Sequence, residues 1–206
     1  LKQEILERKI AEEKLQQSYH KLEKNLDEIV KAMSLTVEKR DPYTAGHQKR
    51  TAALAVALAR EMGFAEHEIK GIQMAGLIHD IGKISVPAEI LSKPGKLNDI
   101  EIQLIRRHPQ VAYEILKDID FPWPVDLIVL QHHEKMDGSG YPQGLAGEEI
   151  RIEARILCVA DVVETITSHR PYRPGFGIEK ALEEISNHRG VLYDPNVVDA
   201  CLRLFR

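Results

Sequence analysis

The chain has 206 residues, 43% of them apolar and 5% aromatic, with a net charge of −4. That length suits one domain with a sizeable core plus an appendage, and the charge excludes the global positive field of a binder of nucleic-acid polymers. Two cysteines, Cys158 and Cys201, are too few for a disulfide framework, no apolar run approaches the roughly 20 residues that span a bilayer, and no secretory signal is visible. A cytoplasmic domain is therefore expected. The start at Leu1 rather than Met reads as a cut from a longer parent, with a sensor or receiver domain upstream and membrane attachment of the parent left open.

Residues 1 to about 40 contain no glycine, and the first proline is Pro42, so the spacing predicts one long helix. Leu1, Ile5, Leu15, Tyr19, Leu22, Leu26, Ile29 and Met33 follow an alternating four-three spacing, interrupted by Arg8 and Glu12. Two readings stay open: a coiled coil that dimerises the chain, and an amphipathic helix packed on its own domain. The division expected is a signalling helix or linker over 1–33 and a globular domain over 34–206.

Helices joined by loops are predicted for the rest. Asp41-Pro42 reads as a cap and first turn before an Ala/Leu-rich helix that stops near Gly63. A second helix is expected from Glu66 to Ile81, then a loop from Val86 to Gly95, then helices near 98–107, 109–118 and 124–134. A loop from Lys135 to Ile150 holds four glycines and a proline. An apolar helix over 153–168 and two more follow, the last opened by Asp194-Pro195. The fold class expected is all-α.

The chain holds nine histidines. His47, His79, His108, His132 and His133 sit beside other ligand types or at helix ends; His20, His67, His169 and His188 read as ordinary surface or core residues. Neighbouring side chains on a helix diverge by about 100°, but His79-Asp80 and His132-His133 can each reach one metal cluster if a helix end points at it. Asp80 offers two oxygens and can bridge two ions. Asp161 lies in the apolar run Ile-Leu-Cys-Val-Ala-Asp-Val-Val, where a carboxylate needs a partner: a metal, or an arginine such as Arg155. His79-Asp80 read alone fits a helix cap or a buried hydrogen bond equally well.

His79-Asp80-Ile81-Gly82-Lys83 resembles the signature of the HD hydrolase superfamily. His132-His133-Glu134-Lys135-Met136-Asp137-Gly138-Ser139-Gly140-Tyr141-Pro142 resembles the second signature of its HD-GYP phosphodiesterase branch. Asp41 to His47, Arg107-His108-Pro109, Ala160-Asp161-Val162 and Arg170-Pro171-Tyr172-Arg173 resemble flanking pieces, so the likeness covers about 34–206. It implies an HD-superfamily helical bundle that hydrolyses cyclic di-GMP to pGpG, and onward to GMP. It implies two divalent ions, iron foremost or manganese, held by His47, His79, Asp80, His108, His132, His133 and Asp161. A third ion in some members uses a glutamate one turn before the first histidine; Tyr43 stands there, so two ions are expected.

The expected chemistry is attack on phosphorus by a hydroxide bridging two ions about 3.5–4 Å apart, with Asp80 and Lys83 as catalytic residues. Lys83, three residues after Asp80, suits the non-bridging phosphate oxygens. Lys83, Tyr141, Arg170 and Arg173 are the candidate substrate contacts: Tyr141 to stack on guanine, the arginines for the second phosphate or a guanine edge. The Gly-Tyr-Pro loop reads equally as a lid or as a docking surface for a diguanylate cyclase domain. Glu164, one turn after Asp161, is a candidate to orient a ligand or water. Cys158 and Trp123 read as packing residues. The competing functions are a non-catalytic cyclic-dinucleotide sensor and a phosphohydrolase for another cyclic dinucleotide.

Overall fold

A computed structural model describes residues 2–40, 46–168 and 175–205. They form α-helices and two short 3-10 turns, with no β-strand among the described residues, so the all-α expectation is met. The helices are α1 (Lys2–Glu38), α2 (His47–Glu61), α3 (Glu66–Ile78), α4 (Ala88–Leu91), α5 (Asp99–Arg106), α6 (His108–Leu116), α7 (Val125–Gln131), α8 (Ile152–Thr167), α9 (Ile178–Asn187) and α10 (Pro195–Leu204). The 3-10 turns are Ile81–Ser85 and Gly147–Glu149.

The core is built around α8. Its residues 156 to 161 are all buried, as expected of a helix that is apolar on every side. α2 packs on α3 and α8, α7 on α3 and α8, α9 on α8, and α10 on α2. Leu58, Ile72, Ile78, Leu116, Ile128, Ile156, Leu157 and Ile185 are fully buried, each contributing about 1.5–3 kcal/mol. Trp123 packs against Gly71 of α3, where an added Cβ would lie 2.5 Å from the indole; the packing reading of Trp123 fits this contact.

The helix α1 is exposed along its first part and packed on the domain along its last. Leu15 and Leu22 are 71% and 70% exposed, and Ile5, Ile10 and Tyr19 are exposed too. From Leu26 onward the helix joins the core through Val30, Met33 and Val37, and Lys70 on α3 pairs with Glu23 at 3.0 Å. Ser34 bonds to Gln48 on α2. Asp41-Pro42 and Tyr43 lie outside the described residues.

Three helix ends differ from the sequence expectation, and the differences build the site. The helix expected to run to Ile81 ends at Ile78; Asp80 sits at φ −91°, ψ 5° and the chain tightens into the 3-10 turn, a backbone region frequent at active sites. The helix expected over 124–134 ends at Gln131, which frees His132 and His133 from it. α6 starts at His108 itself, with Pro109 in its first turn, the position proline tolerates. A short helix, α4, also forms inside the expected 86–95 loop.

Candidate metal centre

Six of the seven expected ligands come from helix ends. His47 opens α2, His79 and Asp80 follow α3, His108 opens α6, and His132 and His133 follow α7; Asp161 alone lies inside a helix, α8. Helix ends carry unsatisfied backbone groups and irregular dihedrals, so neighbouring side chains there can turn toward one point. Close approach also matters. An added Cβ at Gly82 would lie 1.9 Å from the His108 carbonyl oxygen, so only glycine lets the 3-10 turn press against the start of α6.

The structure brings all seven side chains together in two groups that share Asp80. In the first, His47 Nε2 lies 3.2 Å from Asp161 Oδ1 and 3.8 Å from Asp80 Oδ2, while His79 Nε2 lies 3.6 Å from Asp80 Oδ2 and 3.9 Å from Asp161 Oδ1. In the second, His108 Nε2 lies 3.3 Å from His132 Nε2 and 3.5 Å from Asp80 Oδ1, with His133 beside them. One oxygen of Asp80 therefore faces each group. Donor atoms about 3–4 Å apart are what a coordination shell with bonds of about 2.0–2.2 Å requires.

The donor set fits cations on its own chemistry. His79, His108 and His132 each place Nδ1 on the carbonyl three residues back: Gly76 at 2.9 Å, Ile105 at 2.8 Å and Val129 at 2.6 Å. A carbonyl only accepts, so Nδ1 carries the proton and Nε2 presents a lone pair inward, the tautomer a metal ligand needs. His79 Nε2 is buried without a hydrogen-bond partner. The facing Nε2 atoms of His108 and His132 would set lone pair against lone pair. Burial lowers both imidazoles, His108 to about 4 and His132 to about 3, so no proton relieves the contact at neutral pH. A divalent ion held there would.

Charge balance points the same way. Burial opposes ionisation of Asp80 and Asp161. Lys83 and the histidines around Asp80 nonetheless hold its carboxyl well below the usual range, and His47, His79 and His133 do the same for Asp161. Burial would lower His47, but hydrogen bonds to Asp161 and Glu164 outweigh it and raise the imidazole to about 9. A cation at His47 Nε2 would displace that proton. Arg155 pairs with Asp194 at 2.9 Å, so the alternative partner for Asp161 is engaged elsewhere.

A family profile described as the HD domain matches residues 31–197. The chain belongs to the HD domain family. Among curated relatives, this HD domain is 41% identical to the cyclic di-GMP phosphodiesterase response regulator RpfG of Xanthomonas campestris over 93% of the chain and 51% of that protein. It is 38% identical to a cyclic di-GMP phosphodiesterase of Thermotoga maritima over 95% of the chain and 54% of that protein. The chain thus spans about half the length of these relatives. Among solved structures, a cyclic GMP-AMP-specific phosphodiesterase of Vibrio cholerae superposes with a TM-score of 0.65 at 17% identity, covering 86% of this chain and 48% of that one; this likeness speaks for the fold.

Around the HD-domain centre, Lys83 Nζ lies 2.7 Å from Asp80 Oδ2. Tyr141 stacks on His133 with ring centroids 4.7 Å apart, and the Arg106 guanidinium lies 5.3 Å from the Tyr141 centroid. Arg170 and Arg173 lie outside the described residues. Cys158 is buried with Lys135 Nζ at 3.2 Å from its sulfur, away from both ligand groups. His188 bonds to Glu184, while His20 and His67 are on the surface.

Sequence reasoning assigned no role to Glu134, Arg50 or Arg106. Glu134 is buried and accepts from the backbone of Gln143 at 2.7 Å and Leu145 at 3.1 Å, tying the 135–150 loop to the end of α7. A carboxylate directly after two ligand histidines was the available signal. Arg50 and Arg106 gave none, because each depends on a partner far along the chain.

Proposed function

We propose that this domain is a metal-dependent phosphodiesterase that opens cyclic di-GMP to pGpG and then GMP. The observation that carries the reading is Asp80 held between two groups of inward-facing imidazole nitrogens, one carboxylate oxygen to each. His47, His79, Asp80 and Asp161 would hold one divalent ion, and Asp80, His108, His132 and His133 the other, iron or manganese. When bound, such a pair supplies Lewis acidity and a nucleophile from water at neutral pH. The names of the curated relatives support the substrate.

This chain's own residues do the rest. Lys83, beside Asp80, offers an ammonium to the non-bridging oxygens of the phosphate as charge builds on them. Tyr141 stacks on His133 and forms one wall of the site. Arg170 and Arg173 remain the candidates for the second phosphate or a guanine edge. With Tyr43 in place of a glutamate, two ions complete the site.

The exposed apolar residues of α1, Leu15, Tyr19 and Leu22 among them, support a parallel homodimer through a 1–33 linker; this domain is read as cytoplasmic, set below a sensor or receiver domain in a parent that is itself cytoplasmic or membrane-attached. The 135–150 loop is the surface proposed for a diguanylate cyclase domain. Another cyclic dinucleotide is the competing substrate, which the test below separates; an intact ligand set argues against a purely sensory module.

The test is product chromatography on protein purified without oxygen and loaded with Fe²⁺ or Mn²⁺, given cyclic di-GMP and cyclic GMP-AMP in parallel. Metal-dependent pGpG or GMP from cyclic di-GMP supports the reading. Turnover of cyclic GMP-AMP alone reassigns the substrate, and binding without turnover at full metal loading reassigns the domain to sensing.

A further inference from the structure

His47 differs from His79, His108 and His132 in what holds its second nitrogen. His79, His108 and His132 lean on backbone carbonyls three residues back. His47 opens α2. Its Nδ1 instead bonds to the buried carboxylate of Glu164 on α8. Glu164 is held in turn: Oε1 accepts from Arg50 Nε at 2.7 Å and from the Ser168 hydroxyl. Arg50 Nη2 closes the ring on Ser168 Oγ at 3.3 Å.

We infer that Glu164 is the positioning residue for the His47 end of the metal centre, and that Arg50 acts through it. This rests on the metal-centre reading above. A carboxylate behind an imidazole fixes its tautomer and ring orientation and strengthens the metal-facing nitrogen. The arrangement also ties α2 to α8, one turn from Asp161, so one carboxylate sets the separation of two ligands from different helices. Arg50 neutralises the outer edge of Glu164. The carboxylate therefore serves as a brace, with its inner oxygen on His47 and its outer oxygen on a guanidinium. In the second group, His108 and His132 rely on backbone carbonyls.

The inference predicts an asymmetric effect on metal binding. Mn²⁺ binding to the metal-free protein, measured by competition with a chelating dye, should show two steps. Glu164→Gln should weaken one step by about 10- to 100-fold and leave the other within twofold. Arg50→Ala should weaken the same step by less, and combining it with Glu164→Gln should cost less than the sum of the two, because Arg50 holds the carboxylate that Glu164→Gln alters. Arg50→Lys should restore part of the loss. The readout needs no substrate, so it stands whether or not the domain hydrolyses cyclic di-GMP. Equal weakening of both steps, unchanged affinities, or additive effects of the two substitutions would each overturn it. Should Glu164→Gln fail to fold by circular dichroism, the half-exposed Arg50→Ala and Arg50→Lys pair carries the same test.

Discussion

Lys83 reaches back to Asp80, its ammonium nitrogen 2.7 Å from Oδ2, the oxygen that faces His47 and His79. The 3-10 turn makes this possible by bringing residues three apart onto one edge. The two residues should fail differently. Asp80→Ala removes a ligand from both groups, so bound metal should drop and turnover should fall by about 10³-fold or more. Lys83→Ala keeps every ligand, so metal content should hold while kcat falls by about 10²-fold. Metal analysis beside steady-state kinetics separates the two. Full metal with retained activity in Asp80→Ala would remove its bridging role.

Gly82 acts through space it leaves empty. Its α-hydrogen faces the His108 carbonyl, and a methyl would lie 1.9 Å from that oxygen. Gly82→Ala must push α6 away, at a cost of about 1–3 kcal/mol, and His108 moves with it. The expected result is a lower unfolding midpoint together with weakened binding at the His108–His132–His133 group. A variant with normal stability and metal affinity would mean that α6 shifts freely.

Most of this was legible because helices announce themselves by period, and ligands by residue type at helix boundaries. All seven metal candidates converge as the motifs implied. What the sequence hid was exact helix ends and long-range braces. The expected helix through Ile81 stops at Ile78 because the His79 and Asp80 side chains must both turn inward, and periodicity does not record that. Arg50 meets Glu164 across 114 positions of chain, which no local spacing reveals. The loop after His133 read as a glycine-rich turn, but its anchor is the Glu134 carboxylate, which reaches residues nine and eleven places further on.

That anchor gives a third prediction. Glu134 accepts two backbone N–H groups of the loop, and an added Cβ at Gly140 would lie 2.4 Å from Glu134 Cα. Glu134→Ala should leave those donors without their acceptor, costing about 1–3 kcal/mol, and should loosen the loop that carries Tyr141. Amide exchange across 138–147 should accelerate, while α8 stays protected. Unaltered exchange in the loop would show that other contacts hold it.

Removing metal should lower stability in a way that depends on concentration. The closely spaced carboxylates and lone pairs of the centre favour bound cations in the folded state only. Mn²⁺ at 100 times its dissociation constant should add about 2.7 kcal/mol, or roughly 5–10 °C in unfolding midpoint for a chain of this size. Thermal scans with and without chelator check this, and a midpoint indifferent to Mn²⁺ would contradict the ligand assignment.

The residues just after α1 touch the turn that bears Lys83. Arg40 Nη1 donates to the Ile84 carbonyl at 2.6 Å and Nη2 to Val86 at 3.4 Å, so the guanidinium braces the backbone just after Lys83. Ser34, on α1, bonds to Gln48, the residue after His47. Movement of α1 would therefore reach the turn bearing Lys83 and the start of α2 together. Arg40 is exposed, so its bonds are screened and their loss should cost little global stability. Arg40→Ala should lower kcat by at most about tenfold, because Lys83 is less firmly placed, with metal content and unfolding midpoint nearly unchanged. Arg40→Lys, which can reach one carbonyl but not both, should fall between. An unchanged kcat in Arg40→Ala would mean that the turn holds Lys83 without help from Arg40, and that any signal along the helix must pass through its contacts with α2 and α3 instead.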